Sequence, residues 1–343
     1  MKKISFWTLL WIFLYVTACG PARLEQKKKH FLHKGNLSFK EKMYQDAIRY
    51  YREAILIDST FAQAYNNLGI VYYKTGKLDL AVNAFNSCLK NESGFTDAYF
   101  NRSNAYYELG EYHLSLNDLN RIPKSYNQGD IFFAKGLSFF ALKEYDSARY
   151  SFEKSLESDT SNVEVYINLA NTSYYLDDLE QAERLIVQAL NIDTRSSEAY
   201  NLLGMISAHK QEYEKALDYY QQGLDIESNN AFILNNRGHL YLELGELDHA
   251  VNDINESIII NPNNPWAYLY KGIYYFASND LKNAERLLLQ SIDMDDKIGL
   301  SHLYLGKIYL KSAKVSDACK MFQKAAELGE EDGLEALRNN CKQ

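Results

Sequence analysis

A period of 34 residues is the feature that most constrains how this chain can fold. Steps of 34 residues, with one step of 33, meet a small residue each time, the alanine series: Ala47, Ala81, Ser115, Ala148, Ala182, Ala216, Ala250, Ala284 and Ala318. Twelve residues before each lies a second small residue, the glycine series: Gly35, Gly69, Ser103, Gly136, Ala170, Gly204, Gly238, Gly272 and Gly306. Because small side chains let helix backbones approach closely, both series predict recurring contacts between helices.

Each period predicts two amphipathic helices joined by a tight turn. Large apolar residues fall three, four and seven positions apart, as in the period that contains Tyr65, Leu68, Tyr72, Leu78, Val82, Phe85 and Leu89. That spacing is helical. The turn is marked by residues that tolerate positive φ: Gly76, Gly110, Gly245, Asn279 and Asp177. Neighbouring periods must stack to bury the apolar faces.

The pattern resembles the tetratricopeptide repeat, in which Leu-Gly, Tyr, Ala, an aromatic residue and Ala recur over 34 residues. The resemblance implies an all-α fold, a right-handed α-solenoid of nine helix-turn-helix repeats over residues 28–332, followed by a capping helix at 333–343. The repeats are placed at 28–61, 62–95, 96–128, 129–162, 163–196, 197–230, 231–264, 265–298 and 299–332.

Repeat three departs from the pattern. It is one residue short, and Pro123 lies where its second helix should enter the last turns. Because an interior proline costs about 3 kcal/mol, we expect this helix to end near Ile122. The departure is either a tolerated change of loop geometry or a local change of curvature that shapes a binding surface.

The N-terminal segment is typical of an export signal. Lys2 and Lys3 precede fifteen mostly apolar residues, a run short for a bilayer span of about 20 residues. The sequence Val16-Thr17-Ala18-Cys19 resembles the bacterial lipobox. That resemblance implies a signal peptide at 1–18, lipidation of Cys19 and a tether at 19–27. An ordinary cleaved signal and an uncleaved anchor are the alternatives.

The same resemblance implies a location. The protein is expected to be lipid-anchored in the bacterial cell envelope. Gly20 follows the cysteine where some Gram-negative bacteria use aspartate as a retention signal, so the outer membrane is favoured. The sequence leaves open whether the protein faces the periplasm or the cell surface.

In the tetratricopeptide family, positions 2, 5, 9 and 12 of each repeat face the concave groove. Carried over position by position, the resemblance implies a protein-binding groove formed by Asn66, Tyr73, Phe100, Asn104, Tyr107, Phe133, Phe140, Asn171, Tyr174, Asn235, His239, Trp266 and Phe276. Rings supply contact area and amides can pair with a peptide backbone, although the same residues can instead pack between helices. Position 6 resembles the asparagine ladder that holds a peptide backbone in some members of the family: Asn67, Asn101, Asn168 and Asn236.

Two cysteines near the C-terminus suggest a disulfide. Cys319 lies in the second helix of repeat nine and Cys341 in the capping helix, and an exported protein meets an oxidising compartment. The alternative is two free thiols. Cys88 occupies a small-residue position and is expected to be buried in the core.

The sequence lacks a phosphate loop, a dinucleotide-binding glycine motif, an HExxH helix, a Gly-x-Ser-x-Gly elbow and paired CxxC motifs. Its seven histidines lack metal-ligand spacing. We therefore expect no enzyme, no cofactor and no metal site. The net charge of −8 argues against nucleic acid as a partner.

The leading hypothesis is a membrane-anchored adaptor of the cell envelope that binds envelope proteins or peptide segments in its groove. Lipidated Cys19 would attach it to the membrane. The alternative is capture of a glycan or small molecule by the aromatic groove, with Trp266 stacking on sugar rings. The partner, the pathway and the oligomeric state stay open.

Overall fold

The computed structural model describes the backbone of residues 6–341 and the side chains of residues 22–341. Within these residues every regular element is an α-helix, and the helices follow one another as helix-turn-helix pairs. The all-α, α-solenoid class expected from the period is therefore confirmed. The chain divides into two compact units, Met1–Leu176 and Asp177–Gln343.

The helices of the first unit are α1 (Phe6–Lys40), α2 (Tyr44–Ile57), α3 (Ala62–Lys74), α4 (Leu78–Asn91), α5 (Thr96–Glu108), α6 (Tyr112–Leu119), α7 (Gln128–Ala141), α8 (Tyr145–Leu156) and α9 (Val163–Tyr175). Those of the second unit are α10 (Leu179–Ile192), α11 (Ser197–His209), α12 (Tyr213–Ile226), α13 (Ala231–Glu243), α14 (Leu247–Ile260), α15 (Pro265–Ala277), α16 (Leu281–Met294), α17 (Gly299–Lys311), α18 (Val315–Glu327) and α19 (Glu331–Asn340).

The first helix is longer than a repeat requires. Because α1 begins at Phe6, it joins most of the expected leader and tether to the first helix of repeat one. The expected lipidation site, Cys19, lies in α1, and its side chain is outside the described residues. Across the described part of the chain, none of the helices combines the length and the apolar character that crossing a membrane requires.

The two small-residue series lie at helix contacts, as the period predicts. Every member of the alanine series is at most 1% exposed. At the glycine series the side chain sixteen residues later fills the space that a Cβ would need. A Cβ on Gly69 would lie 2.5 Å from Cε1 of Phe85, and one on Gly136 would lie 2.5 Å from Cε1 of Phe152. These close approaches fix the pairing of the two helices in the seven repeats that have a glycine at this position.

The turns between paired helices use positive φ at one fixed position. Gly76, Gly110, Gly245, Asn279 and Asp177, which the sequence marked as turns, all have φ between 60° and 78°. The equivalent position in other repeats also has positive φ, although it holds residues that rarely adopt it: Lys42, Lys143, Gln211 and Ala313. The register of the helix pair therefore imposes this conformation whatever the residue.

Repeat three is irregular where the proline predicts it. Its second helix, α6, is only 8 residues long and ends at Leu119, one turn before Pro123. The segment that follows is held by local hydrogen bonds, with Tyr126 N donating to the Pro123 carbonyl at 3.0 Å. The side chain of Asn127 then caps α7 by accepting from Gly129 N at 3.1 Å. Tyr126 and Asn127 are thereby placed beside the first turn of α7.

Candidate functional site

The main concave site of the first unit is a cavity between the first helices of repeats two, three and four. It has a volume of about 350 Å³. The cavity is lined by Tyr73, Phe100, Asn104, Tyr107, Glu108, Ser115, Asp130, Phe133, Ala134 and Leu137. Most of these residues come from α3, α5 and α7, because positions 5, 9 and 12 of an α-helix share one face. We call this site the first-unit cavity.

The first-unit cavity gathers five of the residues that the sequence assigned to the groove: Tyr73, Phe100, Asn104, Tyr107 and Phe133. Four of the five are aromatic, and all five are half-buried, so each ring keeps a face that a ligand can reach. The fifth, Asn104, adds an amide to an otherwise apolar wall.

Of the two carboxylates at this cavity, Asp130 belongs to a repeat position assigned to the groove, whereas Glu108 does not. Glu108 follows Tyr107 at position 13 of repeat three, and Asp130 is at position 2 of repeat four. Acidic residues are also common in the first turn of a helix, where they stabilise the helix dipole, so Asp130 has an ordinary structural role as well. Both side chains are exposed.

Aromatic neighbours hold the rings of the cavity in place. The Phe133 ring packs 5.9 Å from the buried Phe152 ring, measured between centroids. The Tyr107 ring lies 5.5 Å from Tyr112. Phe100 lies 6.1 Å from Tyr126, the residue placed by the turn after Pro123. Tilted ring pairs of this kind add about 0.5–1.5 kcal/mol beyond area burial, so the wall is largely preformed.

The end of the cavity near the helix N-termini is negatively charged. The Tyr126 hydroxyl donates to Asp97 Oδ1 at 3.0 Å, and Asn127 Nδ2 donates to Asp130 Oδ2 at 2.7 Å. Burial raises the pKa of Tyr126 to about 12, with further contributions from its hydrogen bond to Asp97 and from the charges of Asp97 and Asp130. Both carboxylates therefore act on the same hydroxyl.

The opposite end of the cavity has mixed charge. Burial is the main cause of the raised pKa of Tyr73, and the Glu108 carboxylate adds to it. Lys74, the next residue, has its Nζ 5.9 Å from the Tyr73 ring centroid. This end therefore has one cation and one anion without an ion pair between them, and among the described side chains no lysine or arginine forms an ion pair with Asp97 or Asp130 at the other end.

Four other residues assigned to the groove in the first unit lie outside this cavity. Asn66 is 5% exposed, so its amide is inside the helix stack rather than in the groove. Phe140 packs edge-on against Tyr175 at 5.5 Å, and Tyr174 also contacts Tyr175 at 5.6 Å. Asn171 Nδ2 donates to the carbonyl of its own helix at Ile167. These side chains support the helices.

Three of the four position 6 asparagines donate to an asparagine of the preceding repeat. In the first unit, Asn67 Nδ2 donates to Asn36 Oδ1 at 2.9 Å, and Asn101 Nδ2 donates to Asn66 Oδ1 at 3.1 Å. Asn168 instead donates to a carbonyl of its own helix. In the second unit, Asn236 makes the equivalent bond to the preceding repeat at 3.0 Å. Each of these amides therefore has a partner within the protein.

In the second unit, the residues assigned to the groove form a surface that differs from the first-unit cavity. Trp266 is 43% exposed and lies 6.1 Å from Tyr270. The His239 ring stacks on Tyr270 at 4.2 Å, and burial there lowers the histidine pKa although Glu243 opposes the shift. Asn235 is 4% exposed, and its Oδ1 has no hydrogen-bond partner.

The last residue assigned to this groove, Phe276, is covered by its neighbours. Its ring contacts Tyr304 edge-on at 5.6 Å, and Lys311 Nζ lies 4.2 Å from the ring centroid. Phe232, at position 2 of repeat seven and so at a repeat position assigned to the groove, is 62% exposed. It occupies the same repeat position as Trp266, so two exposed aromatic side chains recur one repeat apart.

The cysteines have structural positions. Cys319 and Cys341 form a disulfide between α18 and the end of α19, with their Cα atoms 5.7 Å apart. Cys88 is a fully buried free thiol, and burial raises its pKa to about 12. Across the described residues, no group of three or more His, Cys, Asp or Glu side chains is arranged to hold a metal ion.

Models of the tetratricopeptide repeat match residues 35–76, 62–93, 139–206, 197–230 and 233–264, together just over half of the chain. Hsp70-Hsp90 organizing protein 2 of Arabidopsis thaliana is 28% identical over 132 residues, which are 38% of this chain and 17% of that protein. The chain therefore spans less than a fifth of that relative's length.

Two solved structures show the same fold at low identity. A chain in the APC/C hetero-tetramer Cut9-Hcn1 is 16% identical with a TM-score of 0.61, covering 87% of this chain and 59% of that one. The pilF protein of Pseudomonas aeruginosa is 17% identical with a TM-score of 0.53, covering 61% of this chain and 96% of that one.

Proposed function

The chain belongs to the tetratricopeptide repeat family, and we propose that it is an adaptor that binds a segment of a partner protein in the first-unit cavity. The observation that carries this proposal is the aromatic wall of Tyr73, Phe100, Tyr107 and Phe133, whose rings are half-buried and held by further aromatic neighbours. The mechanism is binding and placement of the partner, without chemistry on it.

The cavity suits a peptide because it combines apolar contact area with a few polar groups. A wall of rings binds large side chains without having to order first, so little side-chain entropy is lost on binding. Asn104, at the centre of the wall, can exchange hydrogen bonds with a peptide backbone. The volume of about 350 Å³ fits one or two side chains, so the remainder of a segment would lie along the open groove.

The name of the Arabidopsis relative supports this class of function. It is called an organizing protein for two other proteins, which is an adaptor role. The matched part is 17% of that relative, so its own partners are not transferred to this chain.

The adaptor is further proposed to be a lipoprotein of the bacterial cell envelope, attached to the outer membrane through Cys19. Support comes from the sequence Val16-Thr17-Ala18-Cys19 after two lysines and an apolar run. Two or more acyl chains on one cysteine would exceed what stable membrane attachment needs, at about 0.8 kcal/mol per buried CH₂. Envelope proteins would then be the partners within reach.

Crosslinking in intact cells tests the adaptor function. The tagged chain is compared with Phe100→Ala/Phe133→Ala, and with Tyr150→Ala as a control, because Tyr150 is a 57% exposed ring in the same unit that does not line the cavity. The expected result is a partner that is lost only in the double variant, while helicity and melting are kept. Survival of the same partners in the double variant would refute the cavity as the binding site.

A separate experiment tests the anchor. Cys19→Ser should abolish incorporation of a labelled fatty acid and move the protein from the membrane fraction to the soluble one. Unchanged labelling and fractionation would remove the lipoprotein part of the proposal and leave the adaptor part intact.

The exposed Trp266 ring favours a second candidate, capture of a glycan in the second unit. An exposed indole beside the Tyr270 ring can stack on the apolar face of a sugar. Isothermal titration with soluble envelope oligosaccharides would favour this candidate if binding is saturable and is lost in Trp266→Ala. Absence of binding to the native chain would exclude those sugars.

A further inference from the structure

The charge at one end of the first-unit cavity restricts which segment can bind there. Asp97 and Asp130 occupy position 2 of successive repeats, in the first turns of α5 and α7. Both are exposed. Asp97 accepts from the Tyr126 hydroxyl at 3.0 Å, and Asp130, which lines the cavity, accepts from Asn127 Nδ2 at 2.7 Å. Among the described residues no basic side chain forms an ion pair with either one, although many other acidic residues of the chain are paired.

Helix stability alone explains one acidic residue in a first turn. A carboxylate there interacts favourably with the helix dipole by about 0.3–1 kcal/mol. Glu198, in the first turn of α11 in the second unit, shows this ordinary use, and its carboxylate accepts from Ser196 Oγ at 3.1 Å. What distinguishes Asp97 and Asp130 is that Asp97 accepts from the Tyr126 hydroxyl beside an apolar cavity that Asp130 lines, and that neither forms an ion pair among the described residues.

We propose, on the premise of the adaptor function above, that the first-unit cavity selects a partner segment with a lysine or arginine next to a large apolar residue. The apolar side chain lies among Phe100, Tyr107 and Phe133, and the cation lies beside Asp97 and Asp130. An acidic segment is excluded by repulsion, because like charges brought together across an interface cost free energy.

The direction of the segment follows from the two ends of the cavity. Glu108 lies in the last turn of α5, eleven residues after Asp97, which places it about 16 Å along the helix axis at 1.5 Å per residue. That end has a single carboxylate, and the Lys74 ammonium lies beside the Tyr73 ring there, although the two form no ion pair among the described residues. The cation of the ligand therefore belongs at the Asp97 and Asp130 end, and the apolar residue belongs towards the centre.

The proposal also fits the charge of the whole chain. A net charge of −8 attracts basic segments over a distance set by ionic strength, which increases their rate of encounter. The binding of such a segment should therefore weaken as salt is added, whereas binding through the aromatic wall alone should not.

Peptide display on the purified full chain tests the proposal. The probe is a library of nine-residue peptides with one fixed phenylalanine and all other positions randomised, selected at low salt. Enriched peptides are then measured by fluorescence anisotropy against the native chain and against Asp97→Asn/Asp130→Asn. The Phe100→Ala/Phe133→Ala variant tests whether the aromatic wall of the cavity contributes to binding. Glu198→Gln is the matched control, because it removes the same first-turn carboxylate from the second unit.

The expected result is enrichment of lysine or arginine near the phenylalanine. Replacing that residue by glutamate should weaken binding about tenfold, which corresponds to one close charge pair of about 1.4 kcal/mol. The difference in affinity between the basic peptide and its glutamate version should nearly vanish in Asp97→Asn/Asp130→Asn and persist in Glu198→Gln. Circular dichroism and melting of each variant separate a loss of binding from a loss of folding.

Two other outcomes would each overturn a different part. If neutral or acidic peptides are enriched and binding needs Phe100 and Phe133 but not Asp97 and Asp130, the charge selection is wrong and the adaptor function stands. If the native chain enriches no peptide more strongly than the Phe100→Ala/Phe133→Ala variant does, the cavity is not a peptide site. The proposed charge selection is then wrong as well.

Discussion

Adding one methyl group to Gly136 should destabilise the protein, although the same change stabilises most helices. Gly136 lies in the interior of α7, where alanine would ordinarily contribute about 1 kcal/mol through helix propensity. A Cβ at this position would lie 2.5, 2.6 and 2.8 Å from three ring carbons of Phe152. The Phe152 ring is 0% exposed and packs against Phe133, so it has little room to move.

The net effect follows from these opposing terms. Overpacking a filled core costs about 1–3 kcal/mol, and a rigid buried ring places this site in the upper part of that range. After the gain in helix propensity, Gly136→Ala should lower the free energy of unfolding by about 2 kcal/mol. Gly272→Ala is the matched control, because its nearest side-chain atom belongs to Leu288 at 2.9 Å, and a leucine can change rotamer.

The chain itself suggests the compensating change. Where the glycine series holds Ala170, the residue sixteen positions later is Ile186, and where it holds Ser103 that residue is Leu119. The double variant Gly136→Ala/Phe152→Ile should therefore be more stable than the sum of the two single substitutions predicts. The coupling free energy between the two positions should be about 1–3 kcal/mol.

Urea denaturation followed by circular dichroism gives these free energies. Hydrogen exchange at α7 and α8 checks that the loss is local, because repeat arrays can unfold in parts. A Gly136→Ala variant that is more stable by about 1 kcal/mol, or a double variant with no coupling, would refute the packing explanation.

Three further predictions concern other contacts. Asp118→Ala should cost about 3 kcal/mol, the lower end of the range for a buried pair, by leaving the half-buried Arg102 guanidinium without its bidentate partner, as measured by urea denaturation, and Asp118→Asn should cost less. Cys319→Ser/Cys341→Ser should remove about 3 kcal/mol of loop-closure stabilisation, given their separation of 22 residues, and hydrogen exchange should show the loss at α19. Burial lowers the pKa of His239 below its unfolded value, so this group's contribution to stability is present above about pH 6.5 and is lost as the pH falls, and His239→Gln should flatten the melting temperature between pH 7 and pH 5.

The fold could be predicted from the sequence because its contacts are short-range in the chain. The glycine series and its partners are sixteen residues apart, so one period contains both sides of the contact. The turn position is less visible in the sequence. Lys143 and Gln211 give no sign of the positive φ they adopt, because the neighbouring helices impose it at a cost of about 1–2 kcal/mol per residue.

The candidate site was only partly predictable. Repeat position identified the side of the helix, which placed Phe100 and Phe133 in the cavity. It did not show that Asn66 would be used in a hydrogen bond with Asn101 inside the stack, or that Phe140 would pack against Tyr175. Those choices depend on which neighbour fills the space, and a residue's position in the period does not specify its neighbour in the next repeat.

Positions that determine the fold are separate from positions that determine recognition in this chain. The alanine and glycine series contact other helices, so a change there costs about 1–3 kcal/mol. Position 2 is exposed in both units. A substitution at an exposed position usually changes the free energy of unfolding by no more than about 0.5 kcal/mol, or about 1 kcal/mol where a helix dipole is involved. At this position repeats three and four of the first unit have the carboxylates Asp97 and Asp130, whereas repeats seven and eight of the second unit have the exposed rings Phe232 and Trp266. Because that difference has little effect on stability, ligand preference can diverge between the units without a change of fold.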